Sequence, residues 1–259
     1  MNHDCAVIVS YLTERPSSMR KSDFKAKIVC SNYALKKAYS HWDNFKASNP
    51  SDLDEIDTAI TYCSIAIKNY PQNEFAYSLR GSMYIGKEWY KWACRDLKKA
   101  LSLGLKDEFV YSDLGFAYML LQECNEAVNS FSNALEINPN YCFAWQKRGY
   151  TFTKMELYEK AIPDLKIALS LLPNDIYANR DLNRAYLRRG HLHLKAGKNL
   201  EAISDFTSAT NSKDSVVEAY EGRAAAFMNL GRVDESTADI AKAKYIREEH
   251  EHAKKNSHD

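Results

Sequence analysis

The apolar positions of one stretch, residues 108–141, recur at the spacing of an α-helix. They fall into two groups separated by a polar turn: Tyr111, Leu114, Gly115 and Tyr118 in the first, and Ala127, Phe131 and Ala134 in the second. Pro139 closes the stretch, since proline cannot continue a helix. The pattern predicts two amphipathic helices of about a dozen residues each, joined by a short turn. Neither helix could bury its apolar stripe alone, so the unit needs neighbours on both sides.

The same pattern recurs with a period of 34 residues. Its equivalent positions hold Gly81, Gly115 and Gly149, then Tyr84, Tyr118 and Phe152, then Ala93, Ala127 and Ala161, with Ala66, Ala100, Ala134 and Ala168 and the prolines 71, 139 and 173. An aromatic residue, a small residue, two alanines and a closing proline at this period resemble the tetratricopeptide repeat family. The resemblance implies an all-α fold, a right-handed α–α superhelix of about five to six helix-pair repeats.

The repeat pattern also predicts the organisation of the chain. Residues 1–22 lack repeat positions and are expected to form an arm, disordered or a short appended helix. Residues 23–250 form the solenoid, and 251–259 a polar tail. Residues 23–45 are a solvating cap or the first helix of a degenerate repeat. The repeat-like units cover about 40–73, 74–107, 108–141, 142–175, 176–216 and 217–250.

The 34-residue period is interrupted once. Gly190 follows Gly149 by 41 residues instead of 34. The seven extra residues are close to two helical turns. We therefore expect the first helix of this repeat, within residues 176–196, to be longer without rotating its apolar face.

Charges recur in pairs within the repeats. Four units carry an arginine just before the small residue and an aspartate sixteen residues later: Arg80 and Asp96, Arg148 and Asp164, Arg189 and Asp205, and Arg223 and Asp239. The unit at 108–141 has Leu114 and Ser130 at these two positions. Because an unpaired buried charge is costly, the pattern predicts an ion pair inside each of the four units. A ligand clamp built from the arginines is the alternative.

The resemblance also implies a concave groove lined by the first helix of each unit. Carried over position by position, it indicates these groove residues: Phe75, Ser78, Phe109, Ser112, Phe116, Met119, Phe143, Gln146, Tyr150, Lys154, Arg184, His191 and Lys195. Phe75, Phe109 and Phe143 recur at one position in three successive units. They either anchor an apolar or helical segment of a partner protein or stabilise the junctions between units. The basic residues among the groove positions would suit an acidic segment.

Composition narrows the class of protein. The formal net charge is +1, so no bulk attraction to nucleic acid or to an anionic membrane is expected, and neither is predicted as a partner. The N-terminus has no basic region of the kind that precedes a secretory signal. The six cysteines contain no CxxC pair, which indicates reduced thiols in the cytoplasm, and Cys63 takes a core position of the repeat.

No catalytic motif is found, and neither cofactor nor metal is expected. His191 and His193 are two residues apart, so they would not share a helix face. The asparagine with which some tetratricopeptide repeats clamp chaperone C-termini is missing from the ninth positions. The predicted function is a noncatalytic scaffold or adaptor that binds a peptide or protein segment in its groove. The alternatives are a co-chaperone or secretion-type chaperone holding a client, and a self-associating assembly factor, a homo-oligomer.

Overall fold

The computed structural model describes residues 20–47, 53–210 and 216–256. Within these ranges the chain forms twelve α-helices and no β-strand, so the predicted all-α fold is confirmed there. Residues 1–19 of the predicted arm lie outside the described residues. The described chain divides into two compact units, one ending at Leu121 and the other beginning at Gln122. None of the twelve helices combines the length and apolarity that a membrane crossing needs.

The first unit contains α1 (Lys21–Ala47), α2 (Leu53–Asn69), α3 (Glu74–Gly86), α4 (Tyr90–Ser102) and α5 (Glu108–Leu120). The second contains α6 (Cys124–Ile137), α7 (Cys142–Lys154), α8 (Tyr158–Leu171), α9 (Ile176–Lys195), α10 (Asn199–Ala209), α11 (Val216–Asn229) and α12 (Val233–Asn256). Within each unit, helices that follow one another in sequence pack against one another, which is the stacking of a tetratricopeptide repeat solenoid.

Short polar side chains cap the N-termini of several helices that come first in their helix pair. The side chain of Asn73 accepts a hydrogen bond from the backbone N–H of Ala76, and the side chain of Asp107 accepts one from Val110. These contacts satisfy N–H groups that have no partner inside the helix. In the five helix pairs from α3/α4 to α11/α12, the turn places one residue in the left-handed region, with φ of 60° at Glu88 and 73° at Gly231.

The core of the first unit lies where α1 and α2 meet α3. Ala38, Ile56 and Cys63 are fully buried there, so the prediction that Cys63 fills a core position is confirmed. The hydroxyl of Ser31 donates to the carbonyl of Ala66 at 2.8 Å, which ties α1 to α2. α1 begins at Lys21 and packs against α2.

In the second unit a glycine permits close packing of α7 on α8. A Cβ atom on Gly149 would lie 2.7 Å from Cγ of Leu165 and 3.1 Å from the carbonyl oxygen of Ala161. Such distances leave no room for a methyl group. The small residue of the repeat is therefore needed for the two helices to approach.

α9 has 20 residues, whereas α7 has 13. Its start, Ile176, follows the start of α7 by the usual 34 residues, and the seven extra residues lengthen the helix. The predicted extension is confirmed. Gly190 still faces the second helix of its pair, because a Cβ on it would lie 2.9 Å from Cε1 of Phe206.

Candidate peptide-binding surface

The four predicted ion pairs are present and hold the paired helices together. Nε of Arg148 lies 2.7 Å from Oδ2 of Asp164, and its Nη2 lies 3.0 Å from Oδ1, so the contact is bidentate. A further donor of Arg148 reaches the hydroxyl of Ser132 on the preceding second helix at 3.0 Å. The other three contacts have the same geometry: Arg80 with Asp96, Arg189 with Asp205, and Arg223 with Asp239.

The aspartates of these pairs are buried, and the arginines are largely covered. The hydrogen bonds that Arg189 and Arg223 donate to Asp205 and Asp239, respectively, raise the pKa of the two arginines. The arginine donors are therefore occupied inside the repeats. This geometry supports the structural interpretation of the pairs over a ligand clamp.

In the first unit, the predicted surface on α3 and α5 exposes two aromatic rings. Phe75 is 38% exposed and Phe109 is 61% exposed. Ser78, Phe116 and Met119 are half-buried beside them. Ser112, by contrast, is 1% exposed, so its side chain offers no surface to a ligand and leaves the predicted set.

The same surface carries a carboxylate that the sequence argument did not include. The hydroxyl of Ser82 on α3 donates to Oδ2 of Asp113 on α5. Burial raises the pKa of Asp113 from 3.8 to about 6; the Ser82 hydrogen bond opposes the rise, and the charge of Asp107 adds to it. The residue one period later is Lys147, so no repeated acidic position pointed to Asp113.

Tyr39 on α1 of the same unit has a perturbed hydroxyl. Burial and, to a smaller extent, the charges of Cys63, Asp107 and Asp43 together raise its pKa to about 12. The carboxylates of Asp107 and Asp43 are thus close enough to act on the Tyr39 hydroxyl.

The corresponding surface of the second unit combines aromatic and basic side chains. Phe143 is 37% exposed, and the ammonium of Lys147 lies 5.1 Å from the centre of its ring. Lys154 is exposed, with its ammonium 5.8 Å from the ring centre of the half-buried Tyr150. Burial lowers the pKa of Lys147, which the charge of Asp181 partly offsets. Arg184 and Lys195 on α9 are exposed as well.

Two predicted groove residues of this unit bond to neighbouring helices instead of standing open. Gln146 is buried, and its Nε2 donates to Oδ2 of Asp181 on the extended part of α9 at 2.8 Å. His191 is half-buried, with Nε2 3.1 Å from Oε1 of Glu218 and its ring edge-on to Phe206. The side chain of Gln146 is therefore not accessible to a ligand, whereas that of the half-buried His191 is partly accessible.

Stacked helix pairs of this kind, with aromatic and charged side chains exposed on the first helices, define a helical-repeat protein. The sequence profile of the tetratricopeptide repeat matches residues 110–141. The sequence match covers one repeat of the chain, and the fold around it is that of tetratricopeptide repeat solenoids. No curated protein matches it in sequence.

Solved structures agree with this fold. A crystal structure of the MamA protein is 22% identical, with a TM-score of 0.57, over 72% of this chain and 93% of that one. YrrB, described as a tetratricopeptide repeat protein with an unusual peptide-binding site, is 18% identical with a TM-score of 0.56, over 77% and 96%. A tetratricopeptide repeat protein from Parabacteroides merdae is 20% identical with a TM-score of 0.55, over 84% and 80%.

Proposed function

We propose that this chain is a noncatalytic interaction scaffold that binds a segment of another polypeptide on the exposed face of its first helices. The observation that carries the proposal is the exposure of Phe75, Phe109 and Phe143 at one repeated position. The peptide-binding site described for YrrB adds support, since that protein has a similar fold. The prediction of a cytoplasmic location rests on the cysteines, and the five described ones are free thiols.

The exposure of these rings bears on the two roles considered for them. A ring that stabilises a junction between repeats does so by being buried. Phe109 is 61% exposed, so most of its apolar surface remains in contact with water. Aromatic side chains at such positions are frequent anchors for binding partners. The ligand-binding role is therefore the one we propose.

The charge of the second unit suggests the chemistry of the segment. Lys147 and Lys154 lie over the rings of Phe143 and Tyr150 on α7, and Arg184 and Lys195 are exposed on α9. Their ammonium and guanidinium groups favour carboxylates in a ligand. We propose that the segment bound by this unit carries acidic residues next to an apolar one.

A peptide library displayed on phage tests the proposal. Peptides selected on the wild-type chain should be rich in acidic and apolar residues. Selection on the Lys154→Glu, Arg184→Glu variant should lose the acidic preference, and the Phe109→Ala variant should lose peptides that depend on the first unit. Tyr33→Ala is the matched control, because Tyr33 is an equally exposed aromatic residue, at 62%, on α1.

Two outcomes would contradict the proposal. If peptides survive all of these substitutions unchanged, the first helices do not form the binding surface. If the chain instead suppresses aggregation of several unrelated client proteins without selecting any peptide, it acts as a chaperone. Sedimentation of the chain alone, at increasing concentration, tests the remaining alternative of self-association.

A further inference from the structure

Two tryptophans stand exposed on α4, away from the positions assigned to the peptide surface. Trp92 is 54% exposed and Trp89, at the start of the helix, is 48% exposed. With Glu88, Tyr90, Lys91 and Leu121 they line a recess of 410 Å³. A space of this size holds one large apolar side chain with part of its backbone. The recess lies on a second helix of the first unit, whereas the proposed peptide surface uses first helices.

The other repeats show that the fold does not need a tryptophan here. The residues equivalent to Trp92 in the four later units are all charged and exposed: Glu126, Lys160, Glu201 and Glu235. A position that serves as a solvated surface in four repeats has no packing requirement for a large apolar ring. Packing of the repeat therefore does not account for the ring of Trp92.

Cations extend from the recess along the same face of α4. Arg95 and Lys99 follow Trp92 at i+3 and i+7, which places the three residues on one face of the helix. Both are exposed, and Lys91 is exposed beside the recess. The guanidinium of Arg95 lies 5.6 Å from the ring centre of Trp92, and no ion pair engages these three cations within the described residues.

We propose that this surface, from the recess of Trp89 and Trp92 to Lys99, is a second binding site, and that it takes an acidic segment of a partner protein. An apolar side chain of the segment enters the recess, and its carboxylates meet Arg95 and Lys99. Trp and Arg are the residue types that most often dominate such contacts. The charge of the cations selects the acidic segment.

The dimensions of the surface set the spacing of the ligand. Trp92 and Lys99 are seven residues apart, or about 10 Å along a helix at 1.5 Å per residue. An extended peptide covers that distance in about three residues. The segment therefore carries its acidic residues within about three positions of the apolar one.

Other polyanions fit the surface less well. Recognition of anionic lipid by sequence typically uses clusters of about four to eight basic residues. Here three cations lack an ion pair, because the fourth, Lys87 over the ring of Trp89, is paired with Asp57. Glu88 lies at the recess, where its carboxylate would repel a phosphate chain or an anionic bilayer. A peptide can instead donate a backbone N–H to this carboxylate.

Display selection on the full chain, with Trp92→Glu as the decisive variant, tests the site. Glutamate occupies three of the four equivalent positions, so this substitution is one that the repeat already accommodates. We expect a class of peptides with an apolar residue and acidic residues up to three positions away. Their affinity should fall about 30-fold in Trp92→Glu, the size of a binding hot spot. Lys99→Glu should weaken the same peptides, and circular dichroism should show unchanged helix content.

The Phe109→Ala variant distinguishes binding at this second site from binding on the first helices, which is the proposed function. Peptides of the second site should bind Phe109→Ala as well as wild type, even if no peptide depends on the first helices. The proposal is overturned if no selected peptide is weakened by Trp92→Glu. It is also overturned if Trp92→Glu instead abolishes binding to phosphatidylserine vesicles, binding to a single-stranded oligonucleotide, or a dimer seen by sedimentation, since each outcome names a different occupant.

Discussion

At the scale of single residues, the arginine–aspartate pairs are the features whose chemistry is most constrained. Asp164 is 5% exposed, and burial raises its pKa against the opposing effect of Arg148. A carboxylate in this position is stable as an anion only while the guanidinium donates to it. The repeat at 108–141 replaces the ion pair with uncharged residues. Leu114 is buried there, and Ser130 donates to the carbonyl of Glu126 in its own helix.

This comparison predicts the outcome of changing one pair. Arg148→Leu should lower the free energy of unfolding by about 3 to 5 kcal/mol, because Asp164 remains buried without its cation. Adding Asp164→Ser should recover more than half of the loss, because the pair then matches Leu114 and Ser130. Urea unfolding of both variants measures the difference. A double variant as unstable as Arg148→Leu alone would contradict this account.

Asp113 should make stability depend on pH. Its pKa in the folded protein, about 6, lies above the ordinary 3.8 because of burial. Between these values the folded state binds the proton more tightly than the unfolded chain does, so the contribution of Asp113 to stability falls as pH rises through this window. Asp113→Asn should therefore be more stable than wild type at about pH 7 and closer to it at about pH 4.

Urea midpoints at both pH values measure this effect. Glu136→Gln is the control, because Glu136 is exposed and should give no such pH-dependent gain. An Asp113→Asn variant with the same pH dependence as wild type would show that the carboxylate is solvated. The sequence alone did not point to Asp113, since its burial depends on the helices around it.

At the scale of helices, the long α9 shows how an insertion can preserve a repeat. The seven extra residues advance the helix by nearly two turns, a net rotation of about 20°. Gly190 consequently keeps its place against Phe206, as Gly149 does against Leu165. The extension also supplies Asp181, which accepts the hydrogen bond from the buried Gln146.

Deletions within α9 test this register argument. Removing residues 176–182 should leave a cooperatively folded chain, with a loss of about 1 to 3 kcal/mol from the unpaired Gln146. Removing only 178–182 should be far more disruptive, because five residues rotate the apolar face by about 140°. Thermal unfolding followed by circular dichroism separates the two cases. Equal loss of cooperativity in both would contradict the argument.

At the scale of the whole molecule, a formal net charge of +1 conceals local differences. In the first unit, α5 carries Asp113, whose pKa burial raises, whereas in the second the surface of α7 and α9 carries exposed lysines and an exposed arginine. The net charge of the whole chain therefore does not indicate which ligand binds. The local field decides which segment binds, and it acts over about 10 Å at moderate salt.

Binding of an acidic peptide to the second unit should weaken as salt rises. Isothermal titration at low and high sodium chloride should show at least a several-fold loss of affinity, since exposed charges are screened. The Lys154→Glu, Arg184→Glu variant should bind weakly and lose this salt dependence. A salt-independent affinity for the wild-type chain would mean that apolar contacts alone hold the peptide.

The sequence by itself determined the helices, the repeat period, the insertion in α9 and the four ion pairs. Each of these depends on residues at a fixed spacing, such as Arg148 and Asp164 sixteen apart, and spacing along a helix fixes which side chains can meet. The tertiary structure decided which candidate positions are accessible. Ser112 and Gln146 occupy groove positions by register, yet both are buried, while Trp92 stands exposed at a position the repeat pattern leaves unspecified. Accessibility depends on the neighbouring helices, and a one-dimensional pattern does not contain them.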